Sequence, residues 1–312
     1  MLRFNRQSAV LPASLLAVSM RNFSSYCESN EYDLVVIGGG SGGLACAKRA
    51  ATYGAKVVVV EGSRYGGTCV NVGCVPKKVM YNTAHVAEVI SEAKHFGFNI
   101  ENVSWDWKTL KKSRDKYISR LNAIYSNGLD SSKVQVYFLC AHTVLLTSSC
   151  LQSQVDHVEG FASFSAPGKI KVNDKVISGK HILIAVGGAP NKLGVPGEEY
   201  VIDSDGFFAL EEQPKKVAII GAGYIAVELA GVFNGLGTNT SLFVRQKTAL
   251  RNFDSMIVTA LDDSMKKVMN LRMLYYLRKF YLITITSYVC GISQRIILVV
   301  CSMYCQILGC SI

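Results

Sequence analysis

Twice along this chain a short apolar strand runs directly into a glycine turn and from there into a helix. The first passage is residues 32–37, then Gly38-Gly39-Gly40-Ser41-Gly42-Gly43, a helix expected over 44–53, and a second strand over 56–60 ending at Glu61. The second is residues 217–220, then Gly221-Ala222-Gly223-Tyr224-Ile225-Ala226-Val227-Glu228 opening a helix, and a strand over 240–244. Gly38, Gly40 and Gly43 fit Gly-x-Gly-x-x-Gly; Gly221, Gly223 and Ala226 fit its Ala-ended form. The first glycine permits the tight turn, and the second lets backbone approach a pyrophosphate at the helix N-terminus. The third position allows close packing of helix on strand. A lone glycine turn signals little. Here each turn sits between strand and helix, and Glu61 lies about twenty residues on, where an acid accepts from a ribose hydroxyl. The fold class expected is α/β, with two Rossmann-like dinucleotide-binding domains. After the second unit's strand come Arg245 and Arg251 rather than an acid, which suits the 2′-phosphate of NADPH.

Between the two units stands Gly66-Gly67-Thr68-Cys69-Val70-Asn71-Val72-Gly73-Cys74-Val75-Pro76-Lys77-Lys78. Five residues of regular helix rise about 7.5 Å, whereas disulfide Cα atoms rarely lie more than about 7 Å apart. A Cys69–Cys74 bridge therefore needs a distorted turn, which Gly73 permits. Pro76 is tolerated in a first helical turn, so a helix is expected to begin near Val75. Its dipole and the nearby lysines would favour a Cys74 thiolate. A bare Cys-x4-Cys fits equally a redox pair, a structural disulfide or two unrelated thiols; its flanks have to decide.

Those flanks, Cys-Val-Asn-Val-Gly-Cys-Val-Pro-Lys-Lys-Val-Met, resemble the redox motif of the FAD-dependent disulfide reductases, and most of all its glutathione reductase branch. The helical stretch 75–128 contains Ser119-Arg120-Leu121-Asn122-Ala123-Ile124-Tyr125, which is similar to that branch's substrate-lining helix. The resemblance implies that NADPH passes electrons through FAD to a Cys69–Cys74 disulfide and on to oxidised glutathione, maintaining cell redox homeostasis. It implies Cys74 as the flavin-side thiol, Cys69 as the interchange thiol, and Lys77 at the flavin held by Glu228. FAD would be bound by Gly38, Gly40, Ser41, Gly42, Gly43, Glu61, Thr68, Lys77 and Gly187. NADPH would be bound by Gly221, Gly223, Tyr224, Ala226, Arg245 and Arg251, with Tyr224 as the lid over the nicotinamide. Ser41, Lys48 and Tyr125 would contact glutathione. Two positions depart from the pattern: Lys48 replaces an arginine, and Val186 replaces a threonine before Gly187. The other readings are a reductase of a different disulfide, such as thioredoxin reductase, against which residues 119–125 stand, and a non-catalytic flavin-binding remnant.

The domain division expected is a mitochondrial transit peptide over 1–27, an FAD domain over 28–190, a partial NADPH domain over 191–267 and an apolar tail over 268–312. Residues 1–27 hold Arg3, Arg6 and Arg21 without an acid and surround a short apolar run, for which a secretory signal is the alternative reading. Within the FAD domain, 135–154 is an apolar, Ser/Cys-rich insert with Gln-Val at both edges, read as a retained intron or a lineage-specific loop. The resemblance stops near Lys267. Beyond it the expectation is a tail without a partner surface, a nucleotide sheet missing most of its strands after Val244, and no interface domain for the family's homodimer or its acid–base histidine. The chain alone is accordingly expected to lack glutathione turnover. The net charge of +10 comes almost wholly from nine Lys and Arg in residues 1–27 and 266–312. A charge spread that way makes no case for nucleic acid. Residues 280–293 and 296–312 are too short or too polar to be convincing membrane spans. No metal site is expected.

Overall fold

The computed structural model describes residues 31–140, 155–191, 198–244 and 247–267, and three strands beyond them. The segment 1–27, the greater part of the insert, Arg245 and the rest of the tail lie outside the described residues.

Two sheets carry the architecture. In the first, β1 (Glu31–Ile37), β2 (Val57–Glu61) and β3 (Val155–Glu159) run parallel, and β1 also pairs in parallel with β6 (Lys175–Ile184). An antiparallel meander of β4 (Ala162–Ala166) and β5 (Lys169–Val172) extends the β6 edge, giving the order β3-β2-β1-β6-β5-β4. The run of four valines in β2 is buried throughout, as expected of a parallel strand covered on both faces. Its alternate side chains divide between two cores. Val57 and Val59 pack with Leu44, Ala47 and Ala51 of α1 (Ser41–Thr52); Val58 and Val60 pack with Ile170, Val172 and Ile177 of the meander.

Read as sequence, residues 175–177 and 181–185 are two strands separated by Ser178-Gly179-Lys180, whereas β6 is one strand. It is continuous because Gly179 does not break it but fits it: a Cβ there would lie 2.6 Å from Val35 Cγ2. One half of β6 pairs antiparallel with β5, the other parallel with β1.

The second sheet has the order β11-β10-β9-β12-β8, all parallel, from β8 (Ile202–Asp203), β9 (Lys216–Ile220), β10 (Asn239–Val244), β11 (Arg272–Tyr275) and β12 (Ile296–Val300). Two of these strands come from beyond residue 267. The expectations of a partnerless tail and of a sheet that ends at Val244 are therefore corrected: β11 adds to β10, and β12 sits centrally between β9 and β8. An uninterrupted Ile-Ile-Leu-Val-Val run suits that interior position. A short pair, β13 (Met303–Tyr304) on β7 (Ala189–Pro190), joins the tail to the end of the first sheet's crossover.

The remaining helices are α2 (Gly67–Val72), α3 (Cys74–Glu92), α4 (Trp107–Cys140), α5 (Ser204–Ala209), α6 (Tyr224–Gly235) and α7 (Ser255–Lys267). α4 runs on into the first residues of the insert. The largest core joins Met80 and Ala84 of α3 to Leu229, Ala230 and Phe233 of α6. Trp107 of α4 stacks on Phe233 at 6.2 Å and donates its Nε1–H to Leu210 O at 3.0 Å. That core fixes α3 against the second nucleotide unit. Among the described residues no helix is long and apolar enough to cross a membrane.

Candidate active site

Four helices begin with no side-chain cap and no acid in the first turn: α1, α2, α3 and α6. α5, by contrast, is capped by Asp203, whose Oδ1 accepts from Asp205 N and Gly206 N. An uncapped N-terminus keeps free N–H donors and the positive end of the dipole, a ready site for an anion. The four uncapped ends are the two glycine turns and the starts of the two helices that carry Cys69 and Cys74.

In the first turn, Gly38 has φ +109, and a Cβ there would meet Ala185 O at 2.3 Å. A Cβ at Gly43 would lie 1.9 Å from Gly38 O, so glycine is what lets α1 close on the strand end. Gly40 bridges to Gly66, and Gly66 N donates to Gly39 O at 2.8 Å, which ties the turn to the start of α2. A Cβ at Gly42 meets nothing within 4 Å, so the outer face of the turn is open. Ser41 is exposed at the head of α1, and Gly187, at φ +73, follows Val186 past the same turn. Glu61 Oε2 accepts from Gly39 N at 2.6 Å and Oε1 from Ser63 N at 2.7 Å. Its carboxylate lines a cleft of about 440 Å³ shared with Ser63, Arg64, Ser119, Asn122 and Ser126. The open turn, the uncapped helix and the acid beside a polar cleft fit the phosphate and ribose of FAD.

In the second turn, Gly221 has φ +144, Ala226 is fully buried against the core and Gly223 is open. Tyr224 is exposed at the first position of α6. Arg251 is exposed, and its neighbour Leu250 donates N–H to Ala222 O at 2.7 Å, so Arg251 flanks this turn.

Cys69 lies in the middle of α2 and Cys74 opens α3, with Gly73 alone between the two helices. A Cβ at Gly73 would lie 2.7 Å from Thr68 O and 3.1 Å from Cys69 Cα. Glycine thus lets α3 fold back so that Cys74 comes over Cys69. Both are thiols here. The hydrogen bond with Cys69, burial, and the charge of Cys69 push the Cys74 thiol up; its own backbone N–H and Lys77 oppose this. The expected dipole and lysine pull on Cys74 is present, but in the dithiol the neighbouring sulfur outweighs it. Lys77 Nζ donates to Glu228 Oε1 at 2.6 Å, as the sequence led one to expect, reaching from α3 to α6. Thr68 is exposed in the first turn of α2.

Ser41 and Lys48 lie seven apart on α1, on one helical face. Lys48 Nζ stands 5.9 Å from the centre of the Tyr125 ring. The structure therefore brings Lys48 and Tyr125 together. Sequence reasoning missed Asn71 and Asn122. Asn122 Nδ2 donates to Asn71 Oδ1 at 3.1 Å and to Tyr65 O at 2.8 Å, lashing α4 to the cysteine turn. Both lay in quoted motifs, but only the packing of α2 on α4 gives them a role.

With this geometry in place, residues 32–275 match the family described as pyridine nucleotide-disulphide oxidoreductase. The chain belongs to that family. The pyridine nucleotide-disulphide oxidoreductase match extends past Lys267 to Tyr275 and so takes in β11, beyond the point where the sequence resemblance was placed. Among curated relatives, the chain is 50% identical over 236 residues to a glutathione reductase of Yarrowia lipolytica, covering 74% of this chain and 48% of that protein. It is 49% identical over 249 residues to a glutathione reductase of Schizosaccharomyces pombe, covering 77% of this chain and 49% of that protein. The chain thus spans about half the length of these relatives.

Proposed function

We propose that this chain carries the nucleotide and dithiol centres of a glutathione-disulfide reductase that uses FAD and NADPH. The observation carrying the reading is the Cys69–Gly73–Cys74 turn with Lys77 reaching Glu228 at 2.6 Å, set between two open glycine turns. FAD, when bound, supplies the relay between a hydride donor and a disulfide. Gly38, Gly40 and Gly43 would hold its pyrophosphate and Glu61 its ribose, with Lys77 near its reacting ring. Glu228 keeps the Lys77 ammonium in place from the second unit. Cys69 is the thiol that meets substrate. Its thiolate attacks one sulfur of oxidised glutathione, forming a Cys69–glutathione disulfide and expelling glutathione thiolate, which takes a proton. Cys74 thiolate then attacks Cys69 sulfur, closing the Cys69–Cys74 disulfide and releasing a second glutathione. The raised Cys74 thiol suits this order, because Cys74 keeps its proton while Cys69 attacks. Lys48 and Tyr125, side by side, would take the substrate's carboxylate and backbone. Import into mitochondria through residues 1–27 is part of the same proposal.

The assignment of roles is tested by trapping. Reduced Cys74→Ser, given oxidised glutathione, is expected to hold one glutathione on Cys69. With FAD bound, Cys69→Ser is expected to load Cys74 at least about tenfold more slowly, because the proposed flavin-side position of Cys74 keeps it from oxidised glutathione. Equal loading of the two variants would overturn the assignment.

A further inference from the structure

Asn71 lies inside the cysteine turn and is buried, 6% exposed, at the end of α2. Its Nδ2 donates to Tyr65 O at 3.1 Å and to Gly67 O at 2.9 Å, and its Oδ1 accepts from Asn122 Nδ2 at 3.1 Å. Asn122 Nδ2 also donates to Tyr65 O at 2.8 Å. Tyr65 O therefore takes a bond from each asparagine, and the last turn of α2 is held at three points. Asn122 sits on α4 one turn before Tyr125. The geometry assigns Asn71 and Asn122 as a positioning pair. It holds the Cys69 turn in the shape that lets the disulfide close, and registers that turn against the helix carrying Tyr125.

The physical reason is effective concentration. Closing the disulfide joins Cys69 and Cys74 sulfurs and releases two electrons and two protons to an oxidant, here oxidised dithiothreitol. The equilibrium depends on how often the open pair already has the closed geometry. Cys74 is fixed by α3, whose core side packs on α6, so the freedom lies in α2. Removing the asparagine bonds releases α2 and lowers that probability. The inference rests on the proposed redox role of the pair.

The test is the disulfide–dithiol equilibrium of the full chain with saturating FAD, set in buffers of reduced and oxidised dithiothreitol and read by alkylation and mass. Asn71→Ala and Asn122→Leu are each expected to disfavour the disulfide about tenfold, a potential about 30 mV less negative. Asn122→Leu keeps the side-chain volume and carries the test if Asn71→Ala does not fold. Gln213→Ala is the control. Gln213 donates to Leu236 O at 2.7 Å and Thr238 Oγ1 at 3.0 Å, and its loss should leave the equilibrium within about twofold. Asparagine variants within twofold of wild type, or a control that shifts as far as they do, would overturn the inference. A wild-type pair that never closes would overturn it together with the redox reading, and is seen without any variant.

Discussion

Cys74 has two opposed influences on it, and their balance sets its reactivity. The hydrogen bond and charge of Cys69 raise its thiol; the first backbone N–H of α3 and the Lys77 ammonium lower it. Because the largest raising cause is the neighbouring sulfur, removing that sulfur should bring the thiol down. Cys74 in the intact dithiol should reach half its maximal alkylation rate above the pH of an ordinary thiol. In Cys69→Ser the midpoint should move down, as the helix end and Lys77 are left to act. Iodoacetamide rates at Cys74 against pH measure this directly. An unmoved midpoint would mean that burial, not Cys69, holds the thiol up.

Between helices and strands, the sharpest constraint is the closure of α1 on β1. Gly43→Ala would place a Cβ 1.9 Å from Gly38 O, a clash with backbone that no side-chain rotation relieves. It should cost about 3 kcal/mol or more, at the upper end for overpacked sites. Gly42→Ala, with open space around it, should change stability by much less; denaturant midpoints of the two variants compare them. This contact was legible in the sequence, because the spacing of Gly38 and Gly43 between strand and helix has few physical explanations. The Lys77–Glu228 reach was legible through resemblance alone, since nothing local in residues 77 or 228 says that α3 and α6 touch. The unbroken β6 was not legible, because Gly179 reads as a break until Val35 is seen beneath it. Nor were Asn71 and Asn122, whose roles depend on which helix packs over the cysteine turn.

At the scale of the whole molecule, the second nucleotide unit depends on residues far along the chain. β12 lies between β9 and β8, so β9, which carries the Gly221 turn at its end, has sheet neighbours on both sides only when β12 is in place. Apolar residues of the tail read as a patch without a partner because the strand order of a parallel sheet cannot be seen in periodicity. Val299→Pro removes a ladder N–H from an interior strand and should release β12. Hydrogen exchange at Ala218 and Ile219 should then rise by about tenfold or more, while Val35 and Val58 of the first sheet stay protected. Unchanged protection at β9 would place β12 outside the working sheet. The central claim is that both units serve one dithiol, so that electrons enter at the second turn and leave at Cys69. It is tested by loading the full chain with FAD, oxidising the Cys69–Cys74 pair, and adding NADPH without oxygen before labelling thiols and mapping them by mass. The account predicts new label at Cys69 and Cys74, with much less when NADH replaces NADPH. A pair that stays closed under NADPH yet opens under dithiothreitol would contradict it.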